Sequence, residues 1–315
     1  MVKKSTNIFS YLINSYESFV NKVEKHWEVK HPKSFSGYTL FKNGLRLYVA
    51  DLHVYVVSRG KFMIGSSLSS FSRNELNVFR KFPSMIVKSI PIVTLSMLPG
   101  SMVVIPFLFL FPQYLLTPYF WSEEQKSKFF QMDLKIRQCY IEKLKHDFEL
   151  RLKKLRESKQ IDSQTYDSCK MLISSSTHDK SLHEFIPIFE THFNIDSLSK
   201  SYMWHLNKSY PLPTSLLFVN RSKLKLLSNF IFYEDHHLKN ENIKNLADSD
   251  LFELCLTRGL NAYIFPKEDL LEYLKLWTKT SCMGEIGDSS YRLHLILLLS
   301  SKFQNKSKDT DQQKL

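Results

Sequence analysis

From Ser89 to Ser122 the chain runs for 34 residues without an Asp, Glu, Lys, Arg or His, yet the same stretch holds Pro91, Pro99, Pro106, Pro112 and Pro118. The two properties pull in opposite directions. A helix needs only about 20 apolar residues to cross a hydrocarbon core of about 30 Å. An interior proline removes a helical hydrogen bond and costs about 3 kcal/mol in water. Length reconciles them, because 34 residues at about 1.5 Å each reach about 51 Å and can lose several turns. Within 90–116, 18 of 27 residues are hydrophobic and the rest are Pro, Ser, Thr, Gly and Gln113, so no polar face can be drawn. Kinks are tolerated in lipid where Ser, Thr or neighbouring helices satisfy the freed carbonyls. The expectation is one proline-kinked transmembrane segment over 89–121, with a core hairpin as the competing reading. Pro91 would sit in its first turn, and Pro99, Pro106 and Pro112 would kink or break it, with "LPGS" as a re-entrant point. Pro118, Tyr119 and Trp121 would mark the far interface, where aromatic rings are favoured.

The flanks do not orient such a span. Arg73, Arg80, Lys81 and Lys88 precede it, and Lys126, Lys128, Lys135 and Arg137 follow, a tie under the positive-inside rule. Net charge is +12, of which residues 1–88 carry 14 basic against 5 acidic side chains. A basic chain meets nucleic acid or anionic membrane, and charge alone does not separate the two. Four scattered cysteines contain no C-x-x-C pair and suggest neither zinc nor a disulfide framework.

Helical periodicity dominates elsewhere, and the fold class it predicts is all-α. Ile8, Leu12, Tyr16, Phe19, Val20 and Val23 form one apolar face, with Lys3, Lys4, Lys22 and Lys25 beside it. This is an amphipathic helix that also has the character of a mitochondrial import signal, although Glu17 and Glu24 intrude. In 36–62, Leu45, Tyr48, Val49, Leu52 and Val56 keep helical register. Ser72 and Glu75 have capping-box spacing, and the helix they open presents Arg73, Arg80 and Lys81, as a membrane-proximal basic face or a solvated one. Beyond the apolar block, Ser122 with Glu123 and Glu124 opens another helix. Ile141, Leu144, Phe148, Leu152 and Leu155 give its buried stripe, while Lys143, Lys145, Arg151, Lys153, Lys154 and Arg156 crowd its remaining surface. The division expected is 1–34 amphipathic or targeting, 35–88 membrane-proximal helices, 89–121 span, 122–302 helical domain, and 303–315 a polar tail.

Nothing asks for an enzyme. Walker, dinucleotide-binding, nucleophile-elbow and EF-hand strings are missing from the sequence. His178 and His183 are five apart, off the i, i+4 spacing of a helical metal pair, and adjacent His236 and His237 face different ways on a helix. No cofactor, metal or small-molecule substrate is implied.

Three strings in this order then carry a likeness: "ELNVFRKFPSMIVKSIPI", "LFPQYLLTPYFWSEEQK" and "LADSDLFELCLTRGLNAYIFPKEDLLEYLKLWTKTSC", the last followed by "LILLLSS". Over residues 35–302 the chain resembles the Letm family of mitochondrial inner-membrane proteins, in particular the short branch without a calcium-binding tail. The resemblance implies a proline-rich span and an all-helical ribosome-binding-type domain facing the matrix. It assigns Arg258, Gly259 and Leu260 to the family's "RGL" turn and makes Leu260, Leu270, Leu271, Leu274 and Trp277 core residues rather than a binding site. The long members of the family are associated with proton-coupled cation exchange. This span has no charged group to serve an ion pathway, so exchange would require a homo-oligomer or polar groups from outside it.

Three functions are in play: an adaptor holding mitochondrial ribosomes at the inner membrane, a component of potassium or calcium–proton homeostasis, and a membrane assembly or morphology factor. The first has named contacts, the six basic residues of the 143–156 surface docking on phosphate. Glu142, Asp147, Glu149 and Glu157 interleave with them and make a merely solvated face the alternative. The partners so implied are the mitochondrial ribosome and the lipid bilayer.

Overall fold

Ser122 sets the register of the longest helix. Its hydroxyl accepts from the Gln125 amide at 3.2 Å while the Gln125 side chain accepts from the Ser122 amide at 3.1 Å, closing a capping box. From there α4 (Glu123–Glu157) runs for 35 residues. Ile141, Leu144, Phe148, Leu152 and Leu155 are all buried along it, as their spacing predicts. The computed structural model describes residues 32–96, 112–174, 182–211 and 221–299, and all regular structure in them is helical. The 8–23 helix, Pro99, Pro106, His178 and the 303–315 tail lie outside the described residues.

Around α4 gather α5 (Ser163–Ser174), α6 (Ile186–His192), α7 (Lys200–Ser209), α8 (Arg221–Asn240), α9 (Asp248–Thr257), α10 (Lys267–Ser281) and α11 (289–299). The core they share is aromatic at its centre: Phe148 stacks on Phe193 at 4.3 Å, with Phe189 and His294 alongside. The apolar run of α11 is buried almost throughout, Leu293 to Leu299 included. Such complete burial explains a run with no polar face.

Before α4 come α1 (Pro32–Met63), α2 (Arg73–Ser96) and the four-residue α3 (Pro112–Leu115). The Ser72–Glu75 capping box forms as expected, with bonds of 2.8 and 3.3 Å. Antiparallel α1 and α2 join through Tyr48 on Phe82, Tyr55 on Phe79 and Phe62 on Phe79. This face matches the one expected from periodicity only in part. Of the expected stripe, Tyr48 packs inward and Leu52 is half-buried, whereas Leu45, Val49 and Val56 are 45%, 54% and 59% exposed, and the contact is completed by Gly44, Tyr55, Ser58 and Phe62. Aromatic partners on α2 outcompete the aliphatic stripe.

The apolar block also departs from expectation. Among the described residues no helix is long and apolar enough to cross a membrane, so the proline-kinked transmembrane segment is not supported. Pro91 lies well inside α2 rather than in a first turn, and Pro112 is the first residue of α3 rather than an interior kink. The aromatic exit faces protein: Phe120 stacks on Phe41 at 5.1 Å, and the Trp121 indole donates to the Pro112 carbonyl at 2.9 Å. Tyr119 donates to Asp51, and burial, with this bond second, holds its phenol far above the ordinary range.

Candidate functional site

Two places combine charge with position. The first is the basic surface of α4. By the 3.6-residue period, Lys143 and Lys154 fall on one flank of the helix and Lys145 and Arg156 on the other, with Lys153 between them on the outer face. The six basic residues therefore do not make one patch. Arg151, half-buried, folds back on the domain: its Nε donates to the His192 carbonyl at 2.8 Å, its Nη2 to Ser197 at 3.0 Å, and its guanidinium sits 5.7 Å from the Phe193 ring. It ties α4 to the α6–α7 connection. Lys153 lies 4.0 Å from Glu157, Lys143 lies 5.1 Å from the Tyr140 ring, and Arg156 sits 4.8 Å over Tyr166 of α5. Lys145 and Lys154 have no ion-pair partner among the described residues. A groove of about 200 Å³ runs between α4 and α5, lined by His146, Glu149, Leu150, Lys153, Tyr166 and Lys170. It gathers cations, an aromatic ring and an exposed leucine along one open edge.

The second place is buried. At the end of α9, Gly259 takes a φ of +88°, a conformation that favours glycine. Its amide bonds the Leu256 carbonyl at 3.2 Å and that of Leu260 bonds Cys255 at 3.0 Å, the paired pattern of a Schellman cap. The turn aims Arg258, only 1% exposed, back into the domain. There its Nη2 meets Glu234 at 2.9 Å and Asp235 at 2.5 Å, and the Trp277 indole donates to the other Asp235 oxygen at 3.0 Å. Tyr273 closes the cluster by donating to the Arg258 carbonyl at 2.6 Å. Burial works against the Arg258 charge, but Asp235 and Glu234 beside it hold its pKa above the usual value. Burial opposes ionisation of Glu234 as well, and Arg258 with Arg80 keeps its carboxyl below the usual range.

The arrangement of Arg258, Gly259, Leu260 and Trp277 is structural: a cap, a buried ion pair and a core ring. The family described as LETM1-like, RBD matches residues 71–303, which takes in both this turn and α4. The chain belongs to that family. LETM1 domain-containing protein 1 of Xenopus tropicalis is 25% identical over 300 residues, covering 93% of this chain and 85% of the relative. The protein of the same name in Homo sapiens is 23% identical over 313 residues, covering 94% and 84%. No solved structure matches the chain.

The LETM1-like frame also shows where α2 directs its charges. Arg73, Arg80 and Lys81, read from sequence as a membrane-proximal or solvated face, instead meet the helices that follow the apolar block. Arg73 pairs with Glu241 at 3.2 Å and Asp250 at 3.4 Å, Arg80 lies 3.9 Å from Glu234, and Lys81 pairs with Glu253. Lys88 is half-buried, its ammonium 5.7 Å from the Trp121 ring. The carboxylates that receive these cations were missed by sequence reasoning. "EDHH" at 234–237 reads as a polar run, and its 3.6-residue alignment with Leu227, Ile231 and Leu238 is the signal that could have placed Glu234 and Asp235 inside. His237 is used too, its Nε2 bonding the Phe71 carbonyl at 2.8 Å.

Proposed function

We infer that this LETM1-like chain is a non-enzymatic adaptor that docks the mitochondrial ribosome at the inner membrane, with its helical domain on the matrix side, and so supports mitochondrial translation and respiratory-chain biogenesis. The observation that carries the reading is the match to the LETM1-like, RBD family across 71–303. The α4 surface supplies a physical means. Among the described residues Lys145 and Lys154 have no acidic partner, Lys153 lines the groove against α5, and Arg156 lies over Tyr166 of that groove. Each cation that neutralises a phosphate on ribosomal RNA releases counterions, so binding should weaken steeply with salt. Arg151 drops out of the contact set because its Nε and Nη2 are engaged by His192 and Ser197 of the same domain.

The test is co-sedimentation of the detergent-solubilised full chain with purified mitochondrial ribosomes at rising salt. Binding that falls with salt and is lost on reversing Lys145, Lys153, Lys154 and Arg156 to Glu supports the reading. Binding indifferent to both sinks the electrostatic mechanism, and no binding at low salt sinks the ribosome as partner.

A further inference from the structure

One flank of α1 is apolar in the open. Leu45, Val49, Leu52, Val56 and Met63 recur at steps of four, three, four and seven residues and so share one line along the helix. Leu52 is half-buried, whereas the other four are exposed, Met63 at 76%. The line runs beside the edge where Tyr48, Tyr55 and Phe62 meet α2, and at about 1.5 Å per residue it is about 27 Å long. Exposed Leu47 and Val57 fall elsewhere on the helix and are not part of it. Singly exposed aliphatics are ordinary, but a continuous row of them marks a surface that something covers.

The chemistry of the row selects its occupant. It is aliphatic throughout and lacks the Trp, Tyr and Arg anchors that carry most protein interfaces. From 39 to 63 the chain has four basic side chains, Lys42, Arg46, Arg59 and Lys61, and one acid, Asp51. Asp51 accepts from Tyr119, and Lys61 is taken by Glu75 at 2.6 Å. Exposed Lys42 and Arg46, with His53, border the row on the side away from α2.

A second copy of the chain would set like charges against each other. The spacing of the row passes through position 42 just before Leu45 and position 59 just after Val56. In a parallel pair each of these positions meets its own copy, Lys42 with Lys42 and Arg59 with Arg59. In an antiparallel pair with Val49 opposite Leu52, position 42 meets position 59. Both arrangements repel.

We propose that this flank of α1 is a lipid-binding surface that lays the helix along an anionic phospholipid bilayer. Leu45, Val49, Val56 and Met63 enter the boundary between headgroups and acyl chains, and Lys42 and Arg46 meet the headgroup phosphates. Interfacial helices combine the same two features, an apolar face sunk about 5–10 Å and basic side chains beside it. Acidic lipids attract each such cation, by roughly fivefold in binding. The surface lies on α1, apart from the α4 cations, and does not depend on ribosome docking.

The experiment uses detergent-purified full chain with Cys139→Ser and Cys282→Ser, so that only buried Cys169 and Cys255 remain. A bimane label is placed at Val49→Cys, at Val56→Cys or, on the opposite flank, at exposed Asn43→Cys. Each protein is mixed with preformed vesicles of phosphatidylcholine, with or without phosphatidylglycerol, that carry an acyl-chain quencher. With phosphatidylglycerol, quenching at Val49 and Val56 should be at least about twice that at Asn43, because only one face is sunk. Arg46→Glu should remove about half of it or more. Equal quenching at the three positions, or none at Val49 and Val56, overturns the proposal. Quenching indifferent to both phosphatidylglycerol and Arg46→Glu overturns the anionic surface as partner. Absence of quenching, with a doubled mass in detergent and cross-linking of Val49→Cys to its own copy, assigns the flank to a second copy instead.

Discussion

Arg258 and Trp277 hold opposite oxygens of one carboxylate, Asp235, which is itself fully buried. The guanidinium also reaches Glu234, and Arg80 approaches that residue from α2, so two cations and two anions sit together away from water. Such a cluster adds little net stability over well-packed apolar groups, but losing one member leaves a buried charge uncompensated.

Arg258→Met should therefore cost about 3–5 kcal/mol in urea unfolding. Pairing it with Asp235→Leu should cost less than the sum of the two single changes. Additivity in that double-mutant cycle would show that the two side chains do not act as a unit.

Gly44 offers a steric test of how α1 meets the end of the apolar block. A Cβ there would overlap the Tyr119 carbonyl oxygen and lie 2.9 Å from the Phe120 ring. Gly44→Ala should destabilise by about 1–3 kcal/mol through overpacking. Gly60→Ala, where nothing lies within 4 Å, is the matched control and should not. Equal melting temperatures for the two variants would contradict the packing described.

Arg151→Ala separates fold from docking. Removing the donors to His192 and Ser197 should cost about 1.5–3 kcal/mol of stability. Ribosome affinity per folded molecule should stay unchanged. A variant that melts normally but binds weakly would return Arg151 to the contact surface.

His294 predicts an acid response. Fully buried, it faces the Tyr202 hydroxyl at 2.8 Å and the Ser290 carbonyl at 2.6 Å, with Phe148, Phe189 and Phe193 around its ring. Burial lowers its pKa from 6.5 to about 4, and Arg151 nearby adds to the shift. The unfolded chain therefore binds the proton first. Stability from this group is present above about pH 6.5, falls as pH drops toward 4, and is level below that, a loss of about 3 kcal/mol in all. His294→Gln should flatten this part of a pH–stability profile, and an unchanged slope would assign the acid sensitivity elsewhere.

Helices and their buried stripes were legible wherever one period had one partner. Ile141 to Leu155 of α4 and Leu270, Leu274 and Trp277 of α10 read correctly because each strip meets a single core. Capping boxes at Ser72 and Ser122 were legible because they are local. What the sequence hid is long-range choice. Leu45, Val49 and Val56 keep perfect register and still face outward, since Tyr48 and Tyr55 find rings on α2. The cations of α2 looked surface-bound because their acids lie more than 150 residues downstream. For the site, the basic residues of α4 were visible as a list, but not their split between two flanks or the folding back of Arg151 on the domain.

The docking of α2 on α8 and α9 has a consequence for how the chain is made. Ribosomes deliver residues in order, so Arg80 and Phe79 emerge long before Glu234 and Phe230 exist to receive them. Closing contacts over such a separation is entropically slow. The α1–α2 pair can close on its own rings, but Arg73, Arg80 and Lys81 must wait for their carboxylates until about residue 253 has been synthesised, so the docking of α2 on α8 and α9 is one of the last steps of folding.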